Sequence, residues 1–292
     1  SNSSAASDVY KRQVAPSPGS ALLSGVMTGL GLYGLYRVYQ IIRLDPIIFF
    51  YVLAVLGIIS IVYGGLQSLI QHDIKRMLAY STIMGTGLSA VMLAVYVVSG
   101  EPIAYTVFIL AILSHAGYKA SLFLNAGTME LVYHTRKIEL IRGFSKLFPI
   151  SSLAAYISIF SLIGIPPTAG FTAKLLGFIA SLELGLNTIE QIFPLIGLVL
   201  TIALSVAIGL RYMHMFFDKP SIRTNIEARE YNEIEFMELI AAGANIYMVF
   251  PLICSGGVNI PVLIALLLSS PLLIIMIYTL YLIAGRGVGG VT

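Results

Sequence analysis

The chain has 292 residues, 58% of them hydrophobic and 11% charged, with a net charge of +3 and a mean hydropathy of +0.91. A water-exposed surface carries about 25% charged residues, so most of this surface faces lipid tails rather than water. The single cysteine, Cys254, excludes an internal disulfide and the usual thiolate sets of iron–sulfur clusters and structural zinc. There is no phosphate-binding glycine loop after a strand and no HExxH. The small net charge marks no nucleic-acid surface, and no cofactor is expected in this chain.

Residues 1–19 (SNSSAASDVYKRQVAPSPG) are polar and lack the apolar core of a signal peptide. A full span follows directly, so further protein is expected ahead of Ser1. A crossing needs about 20 mostly apolar residues, and eight such segments are predicted, at 20–38, 46–70, 78–98, 102–126, 150–182, 191–217, 237–256 and 260–284. Two longer loops, 134–148 and 218–236, separate them. The fifth segment is too long and too interrupted for one span, because Gly164-Ile165-Pro166-Pro167 and Gly170 fall inside it. Proline removes backbone donors and disfavours helix at the residue before it. Residues 150–163 and 170–182 therefore read as halves of a discontinuous helix. The fold class is all-α integral membrane, with about eight transmembrane helices.

Alternating crossings put twelve Lys and Arg residues on one side, among them Lys75, Arg76, Arg136, Lys137, Arg142 and Lys146, against Arg37 and Arg43 on the other. By the positive-inside rule the first side is cytoplasmic. The acidic run 227–238 then reads as a solvated amphipathic segment of a cytoplasmic loop, with partner docking as the alternative. The 17 Tyr and 14 Phe read as lipid-facing packing and interface anchors.

Three basic residues stay within the spans: Lys119, Lys174 and Arg211. A charge at mid-bilayer costs at least ~2.5 kcal/mol, so it either snorkels to the interface or serves a hydrated path. Arg211, near a helix end and followed by His214 and Asp218, fits snorkelling. Lys119 follows His115 by four residues, which stacks both on one helix face about 6 Å apart. That spacing suits a proton relay. It equally suits a His bonded to a neighbouring helix and a Lys near an interface. Lys174 follows Gly170 just beyond the helix break, where freed backbone groups hold charge and water in transporters; snorkelling is the plainer alternative.

Three stretches in order carry a resemblance: QHDIKRMLAYST (71–82), SHAGYKASLFLNAGTME (114–130) with its loop HTRKIELIRGFSKLFP (134–149), and GIPPTAGFTAKLLGF (164–178). Together they resemble the antiporter-like membrane subunits of respiratory complex I, Mrp-type antiporters and membrane-bound hydrogenases, from about Val14 to about Phe217. The resemblance implies two inverted five-helix repeats, each with a broken helix. Residues 46–217 would form the second repeat, 20–38 the last helix of the first, and 237–284 two C-terminal spans. It further implies a proton path along the membrane midplane, with His115 and Lys119 on its His-x-x-x-Lys helix and Lys174 where the path meets the outside. Asp73, Lys75, Arg76, Pro166, Pro167 and Gly170 would be structural members of the motifs. Many relatives carry Lys where this chain has Gly29, which takes a titratable group from the link between half-channels.

The function implied is a proton-translocating subunit of a redox-driven complex, with no redox chemistry of its own. Its partners would be other membrane subunits, the lipid bilayer and protons, in an energy-coupling membrane of the prokaryotic cytoplasmic type. An Mrp-type Na⁺/H⁺ antiporter subunit is the alternative, and a structural subunit with an interrupted channel is a further one.

Overall fold

The computed structural model describes residues 17–42, 44–183, 188–217 and 232–247. Helix α1 (Ser17–Leu22), a π turn (Leu23–Met27) and α2 (Thr28–Ile42) form the first rod. Then come α3 (Pro46–Ile70), α4 (Ile74–Ser99) and α5 (Pro102–Tyr133). The loop after α5 holds a 3-10 turn (Ile138–Leu140) and the short α6 (Phe144–Leu147). Helices α7 (Pro149–Ile163) and α8 (Ala169–Glu183) are the halves of the broken segment, and α9 (Thr188–Met213) and α10 (Asn232–Tyr247) follow. Among the described residues, four helices, α3, α4, α5 and α9, are long and apolar enough to cross a membrane. The predicted span 260–284 and the second half of 237–256 lie outside the described residues, as do 1–16 and most of 218–236.

Local chemistry sets the ends. Asp45 and Asp73 cap α3 and α4, each accepting from two backbone N–H groups, and Pro46, Pro102 and Pro149 open their helices without wasting a donor. Helix α3 buries Phe50, Ala54, Gly57, Ile61, Gly64 and Ser68 at helical spacing. Its other face exposes Ile48, Val52, Leu56, Ile59, Tyr63 and Leu66, which suits lipid or an apolar partner. Helix α4 is buried nearly all round and forms the middle of the bundle. Glycines let α3 and α4 meet backbone to backbone: a Cβ on Gly87 would stand 2.6 Å from the Gly57 carbonyl oxygen.

With 32 residues, α5 is about 48 Å long and outreaches the ~30 Å hydrocarbon core. It continues past the expected end at 126 because Glu130 finds Lys75 and Arg136, both at 2.7 Å. The 134–148 loop folds onto the α3–α4 junction through Ile74 N–H to Arg136 O and Ile138 N–H to His72 O. Arg211 reaches the same end, donating to the Gln71 carbonyl at 2.6 Å. Lys75, Arg136, Lys137, Arg142 and Arg211 thus gather at one end of the bundle. At the other, Tyr36, Tyr96 and Tyr105 cluster with Gln40 and Arg37.

At the basic end, the hydrogen bond from His72 holds the Glu139 carboxyl below the usual carboxylate range. A carboxyl so lowered adds stability above its unfolded pKa and loses it as pH falls through the folded value. Amide exchange in 134–141, corrected for intrinsic rates, is expected to quicken only below 4.5. His72 is 79% and Glu139 48% exposed, so the change amounts to less than ~1 kcal/mol.

One expectation is corrected. The acidic run 227–238 is not a solvated segment at its C-terminal end, because α10 begins at Asn232, with Glu235 6% and Glu238 0% exposed. Phe236, Met237 and Ile240 point outward instead. The helix turns its polar face inward because α5 and α7 supply hydroxyl, amide and free N–H partners there.

Candidate functional site

Lys119 lies in the middle of α5 and is fully buried. Its Nζ donates to the Leu78 carbonyl at 2.7 Å and to Ser81 Oγ. One turn earlier His115 packs on Gly85, whose missing side chain makes the room: a Cβ there would fall 2.2 Å from His115 Nδ1. Both residues therefore face α4, one turn apart on each helix. His115 Nδ1 pairs with Tyr118 OH at 2.8 Å. Its Nε2 is buried with no hydrogen-bond partner among the described residues.

Lys174 closes the helix break. Gly164, with φ +93°, ends α7 in the left-handed region, which L side chains rarely adopt. The Pro166-Pro167 peptide is cis. Helix α8 restarts at Ala169, and Gly170 packs so close that its N–H bonds Ser161 Oγ at 3.2 Å. Lys174 then reaches back to the Leu162 and Ile163 carbonyls at 2.6 and 2.7 Å, with Ser205 Oγ at 3.4 Å. These carbonyls are the negative end of the α7 dipole. Lys174 is 7% exposed and bound to backbone, so it does not snorkel. Among the described residues, no carboxylate lies within ion-pair distance of Lys119 or Lys174.

Beside Lys174 is a cavity of about 20 Å³, lined by Gly85, Ser89, Ser114, Tyr118, Ser161, Gly170, Lys174 and Thr201, with apolar Met84, Leu88, Ala111, Leu162 and Ala173. That volume accommodates a water, and the hydroxyls offer it partners. Along α4 the line runs from Ser81 at Lys119, through Gly85 at His115, to Ser89 in the cavity. Those eight residues span about 12 Å. Tyr118 belongs to both parts, as the partner of His115 and as a wall of the cavity.

A second buried polar cluster escapes the sequence reading. Glu238 accepts from Thr128 Oγ1 at 2.5 Å, from Asn125 Nδ2 at 3.4 Å and from Ser151 Oγ. Tyr212 OH donates to Asn125 Oδ1 at 2.9 Å. Glu235 accepts from the Ser151 N–H at 3.4 Å, in the first turn of α7, so carboxylates face the positive end of the same half-helix whose negative end holds Lys174. The sequence held a signal: Glu235, Glu238, Ala242 and Asn245 recur at helical spacing among large apolar residues.

Asp73, Lys75 and Arg76 stand apart, at the basic end. Pro166 and Pro167 form the break. Gly29 is buried against α5, where a Cβ would come 2.5 Å from Ile112 Cγ2; a larger residue there needs Ile112 to move.

Residues 7–218 match the family described as NADH:quinone oxidoreductase/Mrp antiporter, transmembrane. The chain is 32% identical over 211 residues to a probable K(+)/H(+) antiporter subunit of Rhizobium meliloti (strain 1021), covering 70% of this chain and 20% of that protein. It is 35% identical over 192 residues to NAD(P)H-quinone oxidoreductase chain 4 1 of Synechococcus elongatus (strain ATCC 33912 / PCC 7942 / FACHB-805), covering 64% and 35%. Among solved structures it is similar to a chain of the membrane-bound sulfane sulfur reductase, an archaeal respiratory membrane complex, with a TM-score of 0.65, 26% identity, and 78% of this chain and 38% of that one covered. The chain thus spans well under half the length of each of these relatives.

Proposed function

The chain belongs to the NADH:quinone oxidoreductase/Mrp antiporter transmembrane family, and from that premise we propose that it carries protons within a multi-subunit, energy-coupling membrane complex. Protons exchange among Lys119, His115 and Lys174 through Tyr118 and ordered water, and the chain does no redox chemistry itself. The observation that carries this reading is the cavity shared by Tyr118 and Lys174, with Ser89, Ser114, Ser161 and Thr201 hydroxyls among its mostly apolar walls. Water held there would link the two side chains, where solid apolar packing would block transfer. We take 46–217 as the second of two inverted repeats and the basic end as cytoplasmic, in a membrane of prokaryotic type. Partner subunits oxidise the electron donor, and the coupling ion is the proton. Sodium-dependent transport would instead support an antiporter subunit.

One observation favours a different reading, a structural subunit with an interrupted channel: Gly29, closed against Ile112, gives α2 no titratable group at that point.

The test is proton pumping in proteoliposomes by the assembled complex carrying the full-length subunit, wild type against Lys174→Ala and Lys174→Gln. Glutamine keeps N–H donors on a slightly shorter side chain but does not exchange a proton in this range. Pumping is expected to fall about tenfold or more in both variants, a barrier rise of about 1.4 kcal/mol, with assembly intact. Full pumping in both would leave the structural reading standing.

A further inference from the structure

Polar groups continue from the Glu238 cluster toward Lys174. On α5 they fall at Ser114, Tyr118, Ser121, Asn125 and Thr128, spaced by three and four, a single stripe. On α7 they fall at Ser151, Ser158 and Ser161, and on α10 at Glu238 and Asn245. The ends of the stripe meet across the three helices. At one end Asn125, Thr128 and Ser151 hold Glu238. At the other, Ser161 Oγ donates to Asn245 Oδ1 at 3.1 Å, and Gly117 makes room for the Asn245 amide. Ser161 is also a wall of the Lys174 cavity. Between the ends lie Ser121 and Ser158, both fully buried, and neither Oγ has a hydrogen-bond partner among the described residues. Buried hydroxyls are almost always bonded, and where protein supplies no partner internal water does.

The chemistry of the partners separates Glu238 from a structural carboxylate. Glu130 is held by Lys75 and Arg136, which only donate and so keep it ionised. Glu238 is held by the Asn125 amide and by the Thr128 and Ser151 hydroxyls, which donate to a carboxylate and accept from a carboxylic acid. By rotating, those hydroxyls partner either protonation state.

We propose that Glu238 loads a second, hydrated branch of the proton path, running between α5, α7 and α10 from Glu238 to the cavity beside Lys174. The proposal rests on the reading of this chain as a proton carrier. From Glu238 to Asn245 the branch covers about 10 Å along α10, a few hydroxyl and water steps. The Glu238 carboxylate takes a proton from the basic end, where Glu235 lies one turn nearer the helix start. It then releases that proton through Ser158, Ser121 and water to the neutral amine of Lys174. The carboxylate is regenerated, Lys174 becomes an ammonium, and no other reactant is consumed.

The experiment uses membrane vesicles containing the assembled complex with the full-length subunit, with proton movement read by a pH-gradient dye. Glu238→Gln keeps the shape and hydrogen bonding of the side chain but not its titration. Ser158→Leu plugs the stripe and leaves every titratable group in place. Both are expected to lower proton movement about tenfold, with normal amounts of complex. On the purified wild-type complex, infrared difference spectra after a pH jump are expected to contain a protonated-carboxyl C=O band that Glu238→Gln removes. That readout holds even if a variant assembles poorly, because the band is sought first in the wild type. Full proton movement in Glu238→Gln, or a wild-type spectrum without the band, overturns the branch. If Lys174→Gln is then inactive, the central path stands without it; if Lys174→Gln is also fully active, the proton-carrying reading fails with it.

Discussion

Lys119→Met in the full-length subunit is expected to stop proton movement while leaving the amount of assembled complex unchanged or raised. The lysine is fully buried, and among the described residues no carboxylate pairs with it. A buried, unpaired ammonium is a net burden on folding, and replacing buried charge with apolar volume is often neutral or stabilising. The groups left behind stay satisfied. The Leu78 carbonyl also accepts from Ser81 Oγ at 2.9 Å and Thr82 Oγ1 at 3.0 Å, so losing Nζ orphans neither it nor Ser81. The methionine stem fills most of the lysine volume. Function and stability therefore part company here: transport falls about tenfold or more, whereas the thermal midpoint holds or rises. Lys119→Arg sharpens the test, because a guanidinium keeps the charge and does not release its proton in proteins. An arginine variant that transports at the wild-type rate would mean that Lys119 supplies only charge, and the relay through it would be wrong.

Gly170→Ala is expected to have the largest effect on folding. A Cβ there would stand 1.8 Å from the Ser161 carbonyl oxygen and 2.7 Å from its carbonyl carbon. Both obstacles are backbone, so the two half-helices must separate by more than an ångström. Overpacking of this kind, together with loss of the Gly170 N–H to Ser161 Oγ bond, amounts to about 3 kcal/mol or more. The matched control is Gly243→Ala in α10, where a Cβ meets nothing within 4 Å. There alanine is expected to be neutral or to stabilise by about 0.5–1 kcal/mol through helix propensity. Thermal unfolding of the solubilised complex compares the two, and equal midpoints would sink the close-packed account of the break.

The lipid-soluble character, the all-helical class and the positions of the long apolar helices are written in the sequence, since each is a local property. Hydropathy over about 20 residues sets a span, and Gly164, Pro166 and Pro167 interrupt a helix whatever surrounds them. The observed halves of the broken segment lie within a residue of the expected 150–163 and 170–182. The i, i+4 spacing likewise puts His115 and Lys119 on one face. It does not say which neighbours that face meets.

Tertiary structure decided everything that depends on a partner from elsewhere in the chain. Ser81 and Leu78 for Lys119, Gly85 for His115, and the α7 carbonyls for Lys174 are separated from them by 11 to 41 residues. Glu238 is the clearest case. In the sequence it closes an acidic run, and charge density alone reads as solvated. Packing brings it to Asn125, Thr128 and Ser151, more than eighty residues away. A hydrophobicity pattern records what a side chain costs to bury, not what it will find when buried. Only the assembled helices supply the hydroxyls and free helix end that make burial of a carboxylate affordable.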